Sequence, residues 1–336
     1  MGIKVIKGGL FTTVQDFGRR GLQKSGFHVS GAMDRKALRS ANLLLGLPDR
    51  EAALEFTLMG PMLEFTSDTV IAVTGGYFGP KINDEPIEMY RAVQVHSGDV
   101  LSFGFSTDGV WGYVAFAGAL DIPETMGSRS TDIKSNLGGF KGRKLEDGDE
   151  ISFRSNVKTL AGMEHRVLPV PVYKQDITEV RVVLGPQDDY FTEKGIATFL
   201  GTPYTVSNQC DRMGYRLEGE SIEHNEQGAD IISDGIAFGA IQVPAHGLPI
   251  VMLADRQTTG GYTKIGAVIN ADIPKLVQSR MNAQIRFVRV SVEEAQDIYV
   301  ADWEELTAFG EKLEKLCGPA AAEKKTGFWK RLFGGK

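Results

Sequence analysis

Cysteine is nearly absent: the 336 residues hold two, Cys210 and Cys317, with no Cys-x-x-Cys pair. That excludes a disulfide framework and a cysteine zinc site, and it fits a reducing compartment, read as cytoplasmic. Histidine is scarce too, and His28, His224 and His246 stand without His-x-x-x-His or carboxylate spacing, so no metal site is expected. No run of roughly 18 apolar residues occurs to span a bilayer, and residues 1–9 lack the apolar core of a signal peptide. Nor is there a basic excess: 37 Lys and Arg against 43 Asp and Glu leave a net charge of −6, which disfavours nucleic acid as a partner. Neither a Gly-x-Ser-x-Gly elbow nor a Gly-x-x-x-x-Gly-Lys-Ser/Thr phosphate loop is present.

What is there is globular: 42% apolar and 24% charged residues, in a chain long enough for two cores. Short runs rich in Val, Ile, Phe and Tyr, such as Val70–Val73 and Tyr113–Phe116, alternate with turn chemistry. Asn83-Asp84-Glu85, Asp108-Gly109 and Glu146-Asp147-Gly148-Asp149 are the expected turns, and antiparallel sheets closing into barrels account for the pattern. The fold class is therefore mainly β. Two helices interrupt it. The first runs from an Asp34 N-cap to Leu45, with Ala37, Leu38, Ala41 and Leu44 on one face and Gly46 as its stop. The second starts at the capping box Ser291-Val292-Glu293-Glu294 and continues, with interruptions, toward Gly318-Pro319. Pro169 and Pro171 mark a connection, which divides the chain into halves 1–160 and 161–290 and a terminal segment 291–336. The basic, aromatic stretch Lys324–Phe333 is too short for more than marginal membrane contact.

Three polar, glycine-rich blocks exceed what a β core requires. In the first, Gln15 and Asp16 precede Ser30, Gly31 and Asp34; glycines allow close backbone approach to a ligand, although turn and helix capping explains the acids equally well. The second, Gly127-Ser128-Arg129-Ser130-Thr131-Asp132, sets a guanidinium among hydroxyls suited to a carboxylate or phosphoryl group; an internal Arg129–Asp132 pair is the structural alternative. The third and densest follows an apolar strand: Asp255, Arg256, Gln257, Thr258 and Thr259, then Gly260-Gly261 and Lys264. Here Arg256 suits an anion, the amide and hydroxyls suit an amide substrate, and Lys264 suits developing negative charge. Arg212 and Tyr215, in a charged turn of the same half, are candidates for the same cleft or for an edge strand.

In order, Thr12–Asp16, Ser30–Asp34, Gly127–Thr131, Asp211–Leu217 and Ala254–Tyr262 resemble the signatures of the biotin-dependent carboxyltransferase and allophanate hydrolase subunit 2 family, KipA-like members included. The resemblance covers roughly Lys4–Gln296 and departs from the family at Phe27-His28 and at Thr263, where proline is usual. It implies two cyclophilin-like β-barrel halves. It also implies one of three roles: a subunit of an ATP-dependent 5-oxoprolinase working with A-type and B-type (KipI-like) subunits on a lactam, a biotin-dependent carboxyltransferase, or a regulator that binds a KipI-like kinase inhibitor. The absence of a Met-Lys-Met site means that biotin, under the second role, rides on another protein. Under the first role ATP is a co-substrate of the complex. Lys264, Asp16 and Asp255 are then the catalytic candidates, and Arg129, Ser130, Thr131, Arg212, Tyr215, Arg256, Gln257, Thr258, Thr259, Ser30, Gly31 and Asp34 the substrate-binding ones.

Overall fold

The computed structural model describes residues 1–317; the basic aromatic stretch expected near the C-terminus lies outside them. The chain is mainly β. Its first half folds into two sheets that face each other. One has six strands, in the order Glu150–Ser152, Gly2–Lys7, Met62–Phe65, Val100–Ser102, Lys81–Ile82, Glu85–Pro86. The other has five, in the order Phe11–Gln15, Ala53–Thr57, Asp108–Phe116, Thr69–Tyr77, Ala92–Val95. Ile3, Val5, Leu63 and Phe65 of the first sheet meet Leu54, Phe56, Ile71, Val73 and Val114 of the second in one core. Asn83 and Asp84, both with positive φ, make the expected two-residue hairpin between Lys81–Ile82 and Glu85–Pro86. Asp108-Gly109 is not a turn. It opens a strand, where Gly109 adopts φ +77° and passes so close to Gly76 that a Cβ would lie 2.6 Å from its Cα. The glycine serves a bulge, which a local reading takes for a hairpin.

The second half closes. Seven strands form a barrel in the order Ile177–Leu184, Lys264–Val268, Ala240–Gln242, Ile250–Met252, Gly214–Glu218, Tyr204–Val206, Gln284–Arg289, sealed by parallel pairing of the last with the first. A two-stranded hairpin, Asp230–Gly235 with Thr259–Tyr262, stands beside it.

Four α-helices connect these layers: α1 (Arg35–Leu44), α2 (Glu193–Gly201), α3 (Ile273–Val277) and α4 (Val292–Cys317). Asp34 caps α1 by accepting from the Ala37 amide at 2.9 Å, and Gly46 beyond its end has φ +69°. Ala37, Leu38, Ala41 and Leu44 are buried in a core that also contains Trp111 and Tyr113 of the five-stranded sheet and Val243, Leu253 and Leu276 of the second half. That sheet is thus covered on both faces: by the first-half core on one, and by α1 and the second half on the other. The segment from 154 to 176 carries no strand and leads into the barrel.

The capping box of α4 is realised in both directions, with Ser291 N–H donating to Glu294 at 2.7 Å and Glu294 N–H to Ser291 Oγ at 3.1 Å. The helix is unbroken across 26 residues, not interrupted, because Gly310 costs a helix only about 1 kcal/mol relative to alanine and packing offsets it. It lies against α1: Arg39 stacks on the Trp303 ring at 3.7 Å and donates to the Trp303 carbonyl and Thr307 hydroxyl, while Lys36 pairs with Asp302 at 2.5 Å. Leu306 is the buried apolar anchor of this contact. Leu306→Ala should therefore lower unfolding free energy by about 2–4 kcal/mol in urea denaturation; a loss below about 0.5 kcal/mol would mean that α4 is not docked in solution.

Candidate functional site

The strand Phe11–Gln15 runs directly into Asp16. One oxygen of its carboxylate accepts from the Gly18 amide at 2.7 Å and the Ser128 and Ser130 hydroxyls at 2.7 and 2.5 Å; the other accepts from the Arg129 amide at 2.6 Å. A buried carboxylate with four donors acts as a fastener, here between residues 16–18 and the 128–130 loop. Arg129 projects from that loop, donating to the Ile122 carbonyl at 2.9 Å and pairing with Glu124 at 3.0 Å. The Arg129–Asp132 pair does not form, because Asp132 faces His28 at 3.0 Å. Beside the loop opens a cleft of about 840 Å³, lined by Asp16, Arg20, Arg50, Glu51, Arg129 and Arg154 among others.

Between the halves lies a buried polar network. In the five-stranded sheet the register sets Thr13 and Tyr113 on either side of Glu55, so all three side chains leave on the α1 face. Glu55 accepts from Tyr113 Oη at 2.7 Å and the Met33 amide at 2.8 Å, and its other oxygen accepts from Arg212 of the second half. Arg212 also makes a bidentate pair with Asp255 at 2.8 and 3.0 Å and donates to the Gly31 carbonyl at 2.7 Å. Burial works against the Arg212 charge, but Asp255 and Glu55 outweigh it and hold the guanidinium above the ordinary arginine range. Gln278 adds a second bridge, donating to Asp34 at 2.9 Å and accepting from the Val110 and Trp111 amides at 2.7 and 2.9 Å. Tyr215 makes a third, accepting from Trp111 Nε1 at 3.1 Å and donating to the Val277 carbonyl at 2.7 Å.

At the mouth of the barrel the register pairs Gln242 with Lys264, so both side chains leave the sheet on one face. Both residues are only 2% exposed, and neither Lys264 Nζ nor Gln242 Nε2 has a hydrogen-bond partner. Lys264 has one counter-charge, Asp234 on the exposed hairpin, at 3.5 Å. Gly260 of the hairpin closes over Gln242, since a Cβ there would lie 2.7 Å from Nε2 and 3.5 Å from the Gln257 amide nitrogen. Two buried donors without acceptors, aimed the same way, form a place for a carbonyl or carboxylate oxygen. At the hairpin base Arg256 donates to the carbonyls of Ile236 and Leu253 at 2.9 and 3.1 Å and reaches Gln23 of the first half at 3.4 Å.

The residues named from the sequence therefore separate into three groups. Asp16 and Arg129 border the large cleft, with Ser130 behind them and Thr131 donating to the Val14 carbonyl. Arg212, Asp255, Tyr215, Gly31 and Asp34 belong to the network between the halves; Ser30 is sealed beside them, its hydroxyl unpartnered. Lys264, Gln257 and Arg256 gather around the hairpin, and Thr258 and Thr259 are on or beside its second strand, Thr259 exposed. Sequence reasoning missed Glu55, Gln242 and Gln278. The available signal was a carboxylate inside the apolar run Ala53–Thr57 and an amide inside Ala240–Val243, polar groups that a buried strand tolerates only with partners. Among the described residues, no group of three or more His, Cys, Asp or Glu could hold a metal ion, and no helix is long and apolar enough to cross a membrane. Arg212→Met leaves two buried carboxylates without their cation and should cost about 3–5 kcal/mol in urea denaturation; a cost under about 1 kcal/mol would show that the pairing does not hold the halves together.

Comparison with known proteins places this geometry. Residues 25–289 match the family described as carboxyltransferase domain, subdomain A and B. The chain is 36% identical over 283 residues to the C subunit of 5-oxoprolinase from Haemophilus influenzae, covering 84% of this chain and 89% of that protein. It is likewise 36% identical over 293 residues to the C subunit of 5-oxoprolinase from Escherichia coli, covering 87% and 93%. The crystal structure of Kluyveromyces lactis urea carboxylase superposes with a TM-score of 0.84 at 27% identity, over 96% of this chain but 30% of that one. The chain belongs to the carboxyltransferase domain family.

Proposed function

We propose that this chain is the C-type subunit of an ATP-dependent 5-oxoprolinase, active together with A-type and B-type (KipI-like) subunits. The observation that carries this reading is the span of the similarity: it takes in about nine-tenths of two proteins named as C subunits of 5-oxoprolinase, against less than a third of the urea carboxylase chain. In the reaction, the lactam oxygen of 5-oxoproline attacks the terminal phosphoryl group of ATP and ADP leaves; water then adds to the activated carbon, the C–N bond opens to leave an acyl phosphate, and a second water hydrolyses that to glutamate and phosphate. Addition of water and departure of the nitrogen put negative charge on the tetrahedral adduct, and a preorganised cation in a water-poor site stabilises such charge. Lys264 and Gln242 have that character, with unpartnered donors at the barrel mouth. Arg256, at the hairpin base, suits the substrate carboxylate. Gln257, Thr258 and Thr259 on the same segment supply amide and hydroxyl groups, and Asp16 and Arg129 shape the neighbouring cleft.

A second reading draws on the same pair of donors. The ureido or carboxylate oxygen of carboxybiotin, delivered by a separate carrier, would suit Lys264 and Gln242 as well as a lactam does, and likeness to urea carboxylase favours it. A purely regulatory role through a KipI-like partner is the third.

Co-expression with A-type and B-type partners separates the three. The 5-oxoprolinase reading expects glutamate release that needs ATP and this chain but not biotin. A stable complex without turnover favours regulation, and biotin-dependent carboxylation of an amide favours the second reading. Within an active complex, Lys264→Met should lower kcat about 100-fold with the complex intact, and Arg256→Ala should raise KM; wild-type kinetics in both would remove these residues from the site.

A further inference from the structure

Phe17 and Arg20 line both the 840 Å³ cleft and a second one of about 360 Å³ between α1, α4 and the barrel half. Three arginines from separate segments line this shared border, Arg20, Arg35 and Arg50, and a fourth, Arg256, stands close enough to Arg35 to repel it. Arg50 lines the larger cleft and Arg35 the smaller. Arg35 and Arg256 approach the same Phe238 ring, at 4.5 and 5.7 Å from its centroid.

Every carboxylate lining the two clefts is already engaged. Asp16 is saturated by its four donors, Glu51 pairs with Arg154, Glu124 with Arg129 at 3.0 Å, and Asp302 with Lys36 at 2.5 Å. Among the described residues, none of the four arginines has a carboxylate within 4.0 Å, whereas seven other arginines do. Arg35 Nε is sealed from solvent with no acceptor. Burial, then repulsion from Arg20 and Arg256, lowers the Arg35 guanidinium to about 10, so it remains charged at neutral pH while being held at a cost.

Like charges gathered without counter-ions are destabilising unless something else neutralises them. A monoanion would neutralise one of the four. A phosphoryl dianion brings two charges and at least three acceptor oxygens, which guanidinium forks match geometrically. From this cluster we infer a binding site for a phosphoryl dianion at the border of the two clefts, supplied as free inorganic phosphate or as the terminal phosphate of a nucleotide. The site belongs to the chain by itself and does not depend on the activity proposed above.

The test uses the purified full chain in phosphate-free buffer at constant ionic strength. Inorganic phosphate, pyrophosphate, ATP and, as a monoanion control, acetate are titrated by calorimetry and by the fluorescence of Trp303, which lines the smaller cleft. Phosphate should bind saturably and at least about tenfold more tightly than acetate; Arg35→Gln and Arg50→Gln should each weaken it about tenfold, while the exposed Arg216→Gln, away from both clefts, should not. Arg50 is at the surface, so its variant keeps the test valid should Arg35→Gln fail to fold by near-ultraviolet circular dichroism. Tighter binding of ATP than of phosphate assigns the site to a nucleotide, and the reverse to the free anion. No saturable binding, equal binding of acetate, or binding indifferent to both arginine substitutions overturns the inference.

Discussion

Arg212 carries its charge in the interior, and the arrangement of the two halves follows from how that charge is satisfied. Its guanidinium reaches Asp255 in its own half and Glu55 and the Gly31 carbonyl in the other. A buried cation of this kind tolerates little displacement, because each lost partner leaves an uncompensated charge. The pairing therefore fixes where the barrel sits on the five-stranded sheet. Apolar packing around α1 supplies most of the cohesion, but it is non-directional; the charged and hydrogen-bonded contacts of Arg212, Gln278 and Tyr215 set the register.

That constraint has a consequence for function. Residues that look catalytic by type, such as Asp255, Arg212 and Asp34, are consumed in holding the halves together, whereas Lys264, Gln242 and Arg35 keep unused hydrogen-bonding capacity away from that network. Lys264 and Gln242 look out beneath a two-stranded hairpin, and the arginines converge where α1, the barrel and the first-half cleft meet. The rigid network orients these groups without using them.

Much was legible in the chain itself. Alternating apolar runs and turn dipeptides indicated a mainly β protein, because strand periodicity and turn chemistry are local properties. The Asp34 cap and the Ser291–Glu294 box located two helix starts for the same reason. Glycine-rich polar blocks pointed to the segments around Asp16, Arg129 and Arg256, and their order pointed to the family. Where local reading failed, a long-range contact had intervened. Gly109 serves a close strand crossing, and Asp132 is drawn to His28, more than a hundred residues away, rather than to Arg129.

Composition, periodicity and motif order thus determined by themselves the fold class, the helix caps and the segments that carry polar chemistry, since each depends on neighbours in sequence. The tertiary structure alone decided which polar residues are partners and which are left over. Glu55 meets Arg212 across 157 positions, Gln242 aligns with Lys264 only through barrel register, and three arginines line one border, with Arg256 beside them, because sheet, helix and barrel converge there. Hydrogen-bond satisfaction and charge pairing are sums over all neighbours in space, and no local pattern in the chain encodes that sum.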